Sequence, residues 1–229
     1  MLKKYPFFSL LFVIMAISHL TAIAIGSSIV QHITKPLIVM SLLTMLAKRT
    51  ALKGRFHKRL FMGLIFALAG DVLLMFVDKS QSFFLYGLIA FLVCHIFYTS
   101  AFYLDFRSAP ELDKKGARIG IVICTLVGMG FYILIRANLG FLKLPVMAYI
   151  FVICFMMMMA VFRNQRVNML SFHLVLYGAM LFMISDALLA YNKFVQPLDH
   201  ASVWIMITYI AAQYLITMGA IERKLISVP

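Results

Sequence analysis

Acidic residues are scarce in this chain, with 8 Asp and Glu against 21 Lys and Arg over 229 residues. No polar stretch is long enough to fold by itself, which excludes a separate soluble module. Cysteine is scarce too. Cys94, Cys124 and Cys154 all fall inside apolar runs and show no CxxC spacing. That excludes a disulfide scaffold, and we read the three as reduced packing residues. Nucleotide, flavin, haem and phosphate-loop motifs are absent, so no cofactor is expected. No HxxxH or HExxH pair places two metal ligands on one helix. No metal site is expected, the alternative being a set drawn from Asp71, Asp186, His95 and His19.

What the chain has in excess is apolar sequence. It is 64% hydrophobic with a mean hydropathy of +0.99, far above the roughly 45–50% apolar share of soluble domains. The apolar runs recur at regular intervals, which makes this a polytopic membrane protein. In a soluble protein a net charge of +13 would point to nucleic acid. Here the basic residues sit in short loops, where they set topology and meet anionic lipid heads. Nucleic acid is therefore not an expected partner; the lipid bilayer is.

Eight spans are expected, at 7–25, 31–47, 58–77, 83–104, 117–136, 142–162, 171–192 and 202–220. Helices are the natural choice, because lipid offers no partner to a free backbone group. The fold class is thus all-α, a bundle of eight transmembrane helices in one domain, 1–229. Lys3 and Lys4, the loops after spans two, four and six, and the tail hold sixteen of the Lys and Arg residues. The opposite loops hold four, Lys79, Arg136, Lys143 and Lys193. This bias puts both termini in the cytoplasm and requires an even number of spans. Ala22-Ile23-Ala24 looks like a signal-peptidase site. Cleavage there would leave an odd number of spans, so we expect the first helix to be retained. A bacterial inner membrane suits this pattern.

One stretch organises the rest. From Leu60 to Val77 the only charged residue is Asp71, within GLIFALAGDVLLMF (Gly63 to Phe76). The phrase returns as GAMLFMISDALLAY (Gly178 to Tyr191), with Asp186 in the matching place. A carboxylate inside a span costs a few kcal/mol even on insertion scales. It is retained where it faces a partner, a wet cavity or a substrate. Both aspartates lie in the third span of a four-span half and both spans run outward. The chain therefore reads as two parallel four-helix halves; the alternative is a coincidence of Gly, Asp and Leu in two apolar helices. Both carboxylates are expected in one pocket, open toward the non-cytoplasmic leaflet.

Other polar residues lie within the spans. His95 and Tyr98 are three apart on one face of span four. Lys35 and Pro36 open span two, where Lys35 either snorkels outward or faces the pocket. His19 reads as a hydrogen-bonded packing histidine. Pro36 and Pro145 either kink their helices or mark the site. Tyr149 and Tyr214 are either interface aromatics or site residues. Asn192 either caps its helix or contacts substrate. Tyr98 and Gln213 either bond helices together or orient a ligand. The Met156–Met159 run reads as adaptable packing.

These residues resemble the YhhN-like lysoplasmalogenases. The resemblance rests on Lys35-Pro36, Gly70-Asp71, GLIAFLVCHIFY (Gly87 to Tyr98), Pro145 with Tyr149, GAMLFMISDALLAYNKF (Gly178 to Phe194) and Tyr209 to Ile216 with Gln213. They occur in order over most of the chain. The resemblance implies hydrolysis of the vinyl ether bond of a lysoplasmalogen, a lysophospholipid, to a fatty aldehyde and glycerophosphoethanolamine or glycerophosphocholine. Such a bond is cleaved by protonation of its β-carbon, giving an oxocarbenium ion that water attacks. Two carboxylates in a low-dielectric pocket, one protonated and one ionised, suit that chemistry, as in glycosidases. On this reading Asp71 and Asp186 are the catalytic pair and His95 positions water or relays protons. Tyr98, Tyr149, Asn192 and Gln213 contact the substrate, and Lys35 holds its phosphate. The competing readings are a proton-coupled transporter, a lysolipid-binding protein without turnover, and a metal-dependent hydrolase of the ceramidase type.

Overall fold

The computed structural model describes residues 6–110 and 113–226. Lys3 and Lys4, counted above with the basic side, lie outside them. Eight long helices are described: α1 Pro6–Ala24, α2 Ser28–Thr50, α3 Gly54–Leu74, α4 Ser82–Phe106, α5 Lys114–Ile135, α6 Lys143–Val161, α7 Met169–Phe194 and α8 Ala201–Ile221. Two single turns of 3₁₀ helix, Arg136–Asn138 and Gly140–Leu142, join α5 to α6. Among the described residues no strand occurs beyond an isolated antiparallel bridge between Val167 and Leu225. Each expected span coincides with a helix. One shift bears on the site: α2 begins at Ser28. Lys35 and Pro36 therefore lie about two turns inside the helix rather than at its opening.

Among the described residues seven helices are long and apolar enough to cross a membrane, so the chain is an integral membrane protein. α3 differs in carrying Arg55, Lys58, Arg59 and Asp71 within its 21 residues. The shortest long helix has 19 residues and the longest 26. At about 1.5 Å per residue these lengths match a hydrocarbon layer about 30 Å thick. Pro145 lies in the first turn of α6, where its missing N–H disturbs nothing. Pro36 lies inside α2 and removes a helical backbone bond there.

The chain forms two compact units, Met1–Cys94 and His95–Pro229, which divide inside α4. In the first unit α1 packs on α2 and α2 on α3. α3 meets the first half of α4 through glycine: a Cβ at Gly70 would lie 2.7 Å from the Phe91 ring, and one at Gly87 2.6 Å from Leu74. In the second unit α5 packs on α6, α6 on α7, and α7 on α8 over the largest helix contact. α7 and α8 approach closely because Gly178 faces Ile216 and Ala212 while Gly219 faces Val175. Small residues let membrane helices gain dispersion contact where no hydrophobic drive is left.

The basic end of the second unit corrects the sequence analysis. Arg163 and Arg166 were counted there as loop charges that set topology. Both are buried, among the largest fully buried side chains. Buried Asp105 accepts from Arg163 Nε at 2.8 Å and from Arg223 Nε at 2.7 Å. Arg163 Nη2 donates to Ser171 Oγ at 2.9 Å, and Ser171 Oγ donates to Gly219 O at 2.6 Å. Arg166 Nε donates to Ala109 O at 3.0 Å. The tail is laid along the turn after α6: Asn168 N donates to Lys224 O at 3.0 Å, and Ile226 N to Arg166 O at 3.0 Å. A guanidinium is buried only with its donors occupied, and here one carboxylate and several carbonyls occupy them. Asp105, a lone acid at the end of an apolar run, was the available signal in the sequence.

Candidate functional site

Four helices of the second unit bring polar side chains to one place. The second half of α4 contributes His95 and Tyr98, one turn apart. α6 contributes Tyr149, α7 contributes Phe182 and Asp186, and α8 contributes Tyr209 and Gln213. Phe182 and Asp186 are four apart on α7, so one helical face carries both.

The centre is Asp186. Tyr149 donates its hydroxyl to Asp186 Oδ2 at 2.6 Å. His95 Nε2 lies 3.5 Å from the same oxygen. The His95 side chain is fully buried, while 14% of the Asp186 side chain is exposed. Asp186 is thus the less deeply buried member of the pair. Two rings hold the imidazole edge to face. Phe182 lies 4.6 Å away between centroids at 71°, and Tyr149 lies 5.3 Å away at 88°.

Beside this centre runs a second polar group. Tyr98 donates its hydroxyl to Gln213 Oε1 at 2.7 Å, and Gln213 Nε2 donates to Tyr209 OH at 3.3 Å. Tyr98 and Gln213 are fully buried. Bonded this way, they join α4 to α8 as interhelical polar pairs do in membranes. Asn192 stands apart from both groups. Its side-chain oxygen accepts from Leu198 N at 2.9 Å and holds the turn between α7 and α8.

The first unit holds the other aspartate. Asp71 is buried, and Lys35 Nζ lies 3.5 Å from its Oδ1. Lys35 keeps 17% of its side chain exposed. One residue earlier on α2, Thr34 donates its hydroxyl to Val30 O at 2.7 Å. That hydroxyl has one hydrogen, so the 2.8 Å contact between His19 Nδ1 and Thr34 Oγ1 is made by the histidine as donor. His19 is the hydrogen-bonded packing residue expected of it.

Of the eight site residues read from the sequence, the structure brings Asp186, His95 and Tyr149 together. It joins Tyr98 to Gln213 and Lys35 to Asp71, and it uses Asn192 in a turn. Asp71 and Asp186 belong to different compact units, each with its own partners. The residue that sequence reasoning passed over is Phe182. Its signal was its place one turn before Asp186, hidden among many apolar neighbours.

The model of the YhhN family matches residues 30–220. Human lysoplasmalogenase TMEM86A is 34% identical over 169 residues, 72% of this chain and 66% of that one. Its bovine counterpart is 33% identical over the same extent. Pig lysoplasmalogenase TMEM86B is 31% identical over 191 residues, 83% of this chain and 75% of that one. The match to the TMEM86A chains spans just under two thirds of their length. No solved structure matches the chain.

Proposed function

We propose that this chain, which belongs to the YhhN family, is a membrane hydrolase of lysoplasmalogens. The observation that carries the reading is the Asp186 carboxyl, set inside an apolar helix and touched by Tyr149 and His95. Support comes from the relatives, which are named lysoplasmalogenases.

The reaction adds water across R–CH=CH–O–R′ and ends as R–CH₂–CHO and HO–R′. Asp186 is the acid. Its Oδ2 accepts from Tyr149, which leaves Oδ1 to carry the proton. That proton goes to the β-carbon, and the π electrons form the new C–H bond. The positive charge that results is shared between the α-carbon and the ether oxygen. Water attacks the α-carbon and gives its proton to the Asp186–His95 pair. The hemiacetal then breaks its C–O bond to the glycerol, whose oxygen takes a proton from the Asp186–His95 pair, while the hemiacetal hydroxyl gives its own proton to the pair as the aldehyde C=O forms. General acid–base groups placed this way contribute about 10²- to 10⁴-fold. The substrate class is a lysophospholipid with an alkenyl chain, and its products are a fatty aldehyde and glycerophosphoethanolamine or glycerophosphocholine. For Asp71 the proposal is that its ion pair with Lys35 is needed for turnover.

We further assign eight spans, with α3 the eighth, in a single membrane domain. Burial of Asp71 beside Lys35 lowers the cost of the charge that sets α3 apart. The basic loops then face the cytoplasm, with both termini, as in a bacterial inner membrane.

The test is direct. The protein, purified in mild detergent, is incubated with an alkenyl lysolipid and with its acyl-ester counterpart, each with and without a chelator. Free aldehyde from the alkenyl lipid alone, unchanged by the chelator, is the expected result. Fatty acid release from the ester would move the protein to ester hydrolysis. No turnover of either lipid by folded protein would leave lysolipid binding or transport.

A further inference from the structure

Phe182 touches three aromatic members of the two polar groups. Its ring lies 4.6 Å from His95 at 71°, 5.6 Å from Tyr209 at 87° and 6.4 Å from Tyr98 at 76°. All three are edge-to-face contacts, the arrangement in which aromatic rings attract and constrain each other's tilt. Phe182 is fully buried, so its ring has no solvent side to turn toward. Tyr98 and Tyr209 are themselves tied through the two ends of the Gln213 amide. The ring of Phe182 is therefore held against two anchored walls, and His95 rests on what remains of it.

The packing bears directly on the imidazole. Its 3.5 Å contact with Asp186 is longer than a well-formed hydrogen bond and does not orient a ring by itself. Edge-to-face packing on Phe182 and Tyr149 restricts its tilt so that Nε2 faces Asp186 Oδ2. The fixed α7 spacing places Phe182 one turn before Asp186, so the packing ring and the carboxyl move with one helix.

We infer that Phe182 is a positioning residue for the reaction proposed above. It transmits the rigidity of the Tyr98–Gln213–Tyr209 chain to His95 and so sets the distance between His95 and Asp186. The inference rests on the hydrolase reading, and it goes beyond it in giving Tyr98 and Gln213 a task without substrate contact. A positioning defect acts in the transition state, where misplacement by about 1 Å removes up to about 10²-fold of rate. Substrate binding by the apolar walls is left as it was.

Phe182→Leu removes the ring and keeps an apolar side chain. Phe182→Tyr keeps the ring. Phe172→Leu, a buried phenylalanine ten positions earlier on α7, is the control for lost core packing. The readouts are kcat and KM for aldehyde release from an alkenyl lysolipid, with thermal unfolding in the same detergent. The expected result is a fall in kcat of about 10- to 100-fold in Phe182→Leu with KM within about threefold. Phe182→Tyr stays within about fivefold of the wild type in kcat. Phe172→Leu shares the loss of thermal stability but keeps kcat. If Phe182→Leu does not fold, Phe182→Met, which conserves volume, takes its place with the same expectation. Unchanged kcat in the ring-less variant, an equal kcat loss in Phe172→Leu, or a change in KM alone would each overturn the inference. Absence of turnover in the wild type would instead overturn the hydrolase reading on which it rests.

Discussion

Asp71 and Asp186 occupy matching places in two similar phrases, and their surroundings differ in kind. Asp71 is matched by a cation, Lys35 Nζ at 3.5 Å. Asp186 is matched by a phenol at 2.6 Å and an imidazole at 3.5 Å. An ammonium beside a carboxylate forms a pair whose members depend on each other electrically. A phenol and an imidazole leave a carboxyl free to exchange its proton, because neither carries a fixed charge. The same residue at the same position in a phrase is therefore set beside a cation in one unit and beside a phenol and an imidazole in the other, and the second setting suits the acid–base role proposed for Asp186. The neighbouring helices decide which. α2 presents Lys35, whereas α4 and α6 present His95 and Tyr149.

The comparison breaks first at Asp186. Asp186→Asn keeps the size of the side chain and the bond from Tyr149 but removes the exchangeable proton. Turnover of an alkenyl lysolipid is expected to fall about 10²- to 10⁴-fold, with thermal unfolding close to that of the wild type. A loss below tenfold would remove Asp186 from the role of acid.

At Asp71 the expected effect is on the fold as well as on the rate. Asp71→Asn leaves Lys35 without its countercharge inside the first unit. Breaking a buried pair costs about 3–5 kcal/mol, and the partial exposure of Lys35 puts this one at or below the lower figure. Lys35→Met alone is expected to destabilise in the same way, and the double variant to regain most of the loss. Thermal unfolding of the three proteins in one detergent measures this. Asp186 has no such rescue, because among the described residues no lysine or arginine is paired with it. A double variant at Asp71 and Lys35 no more stable than either single one would erase the distinction between the two carboxylates.

The sequence carried the fold well, for a physical reason. Lipid forces each crossing segment to satisfy its own backbone, so helix positions follow from runs of apolar residues. The eight runs became eight helices, their ends shifting by a few residues. The site was legible in residue type and less so in grouping. Asp71, Asp186 and His95 stand out because ionisable groups are expensive in hydrocarbon. Nothing in their spacing shows that Lys35 serves Asp71, or that Tyr149 serves Asp186. Those partners lie on separate helices, 36 and 37 positions away. Phe182 was invisible for another reason: among 21 phenylalanines, a ring that positions looks like a ring that packs. The burial of Arg163 and Arg166 was not legible, since a loop arginine near a span end reads the same in sequence whether it is solvated or buried.

A further carboxylate, outside the spans, carries the comparison to its smallest effect. Asp113 precedes α5 and accepts from Gly116 N at 2.8 Å and from Asn164 Nδ2 at 2.7 Å. Neither donor is a cation or a titrating group. These bonds, that of the Gly116 amide first and that of Asn164 second, hold its carboxyl below the ordinary value of 3.8. Glycine at 116 makes room for the cap, because a Cβ there would lie 2.1 Å from Asp113 Oδ2. Asp113→Ala removes the cap and is expected to lower stability by about 1 kcal/mol at neutral pH. The folded-state value is the depressed one, so the stabilisation is complete above the unfolded value. It is lost as pH falls through the folded value. The unfolding midpoints of wild type and Asp113→Ala should therefore differ at neutral pH and converge in acid. Asp113→Asn, which caps without titrating, should hold its stability relative to the alanine variant across the same range. Midpoints of wild type and Asp113→Ala that coincide at neutral pH would show that hydrogen bonds from amides do not stabilise a carboxylate at this helix start. The cation beside Asp71 would then be the stronger of the two ways in which this chain holds a negative charge.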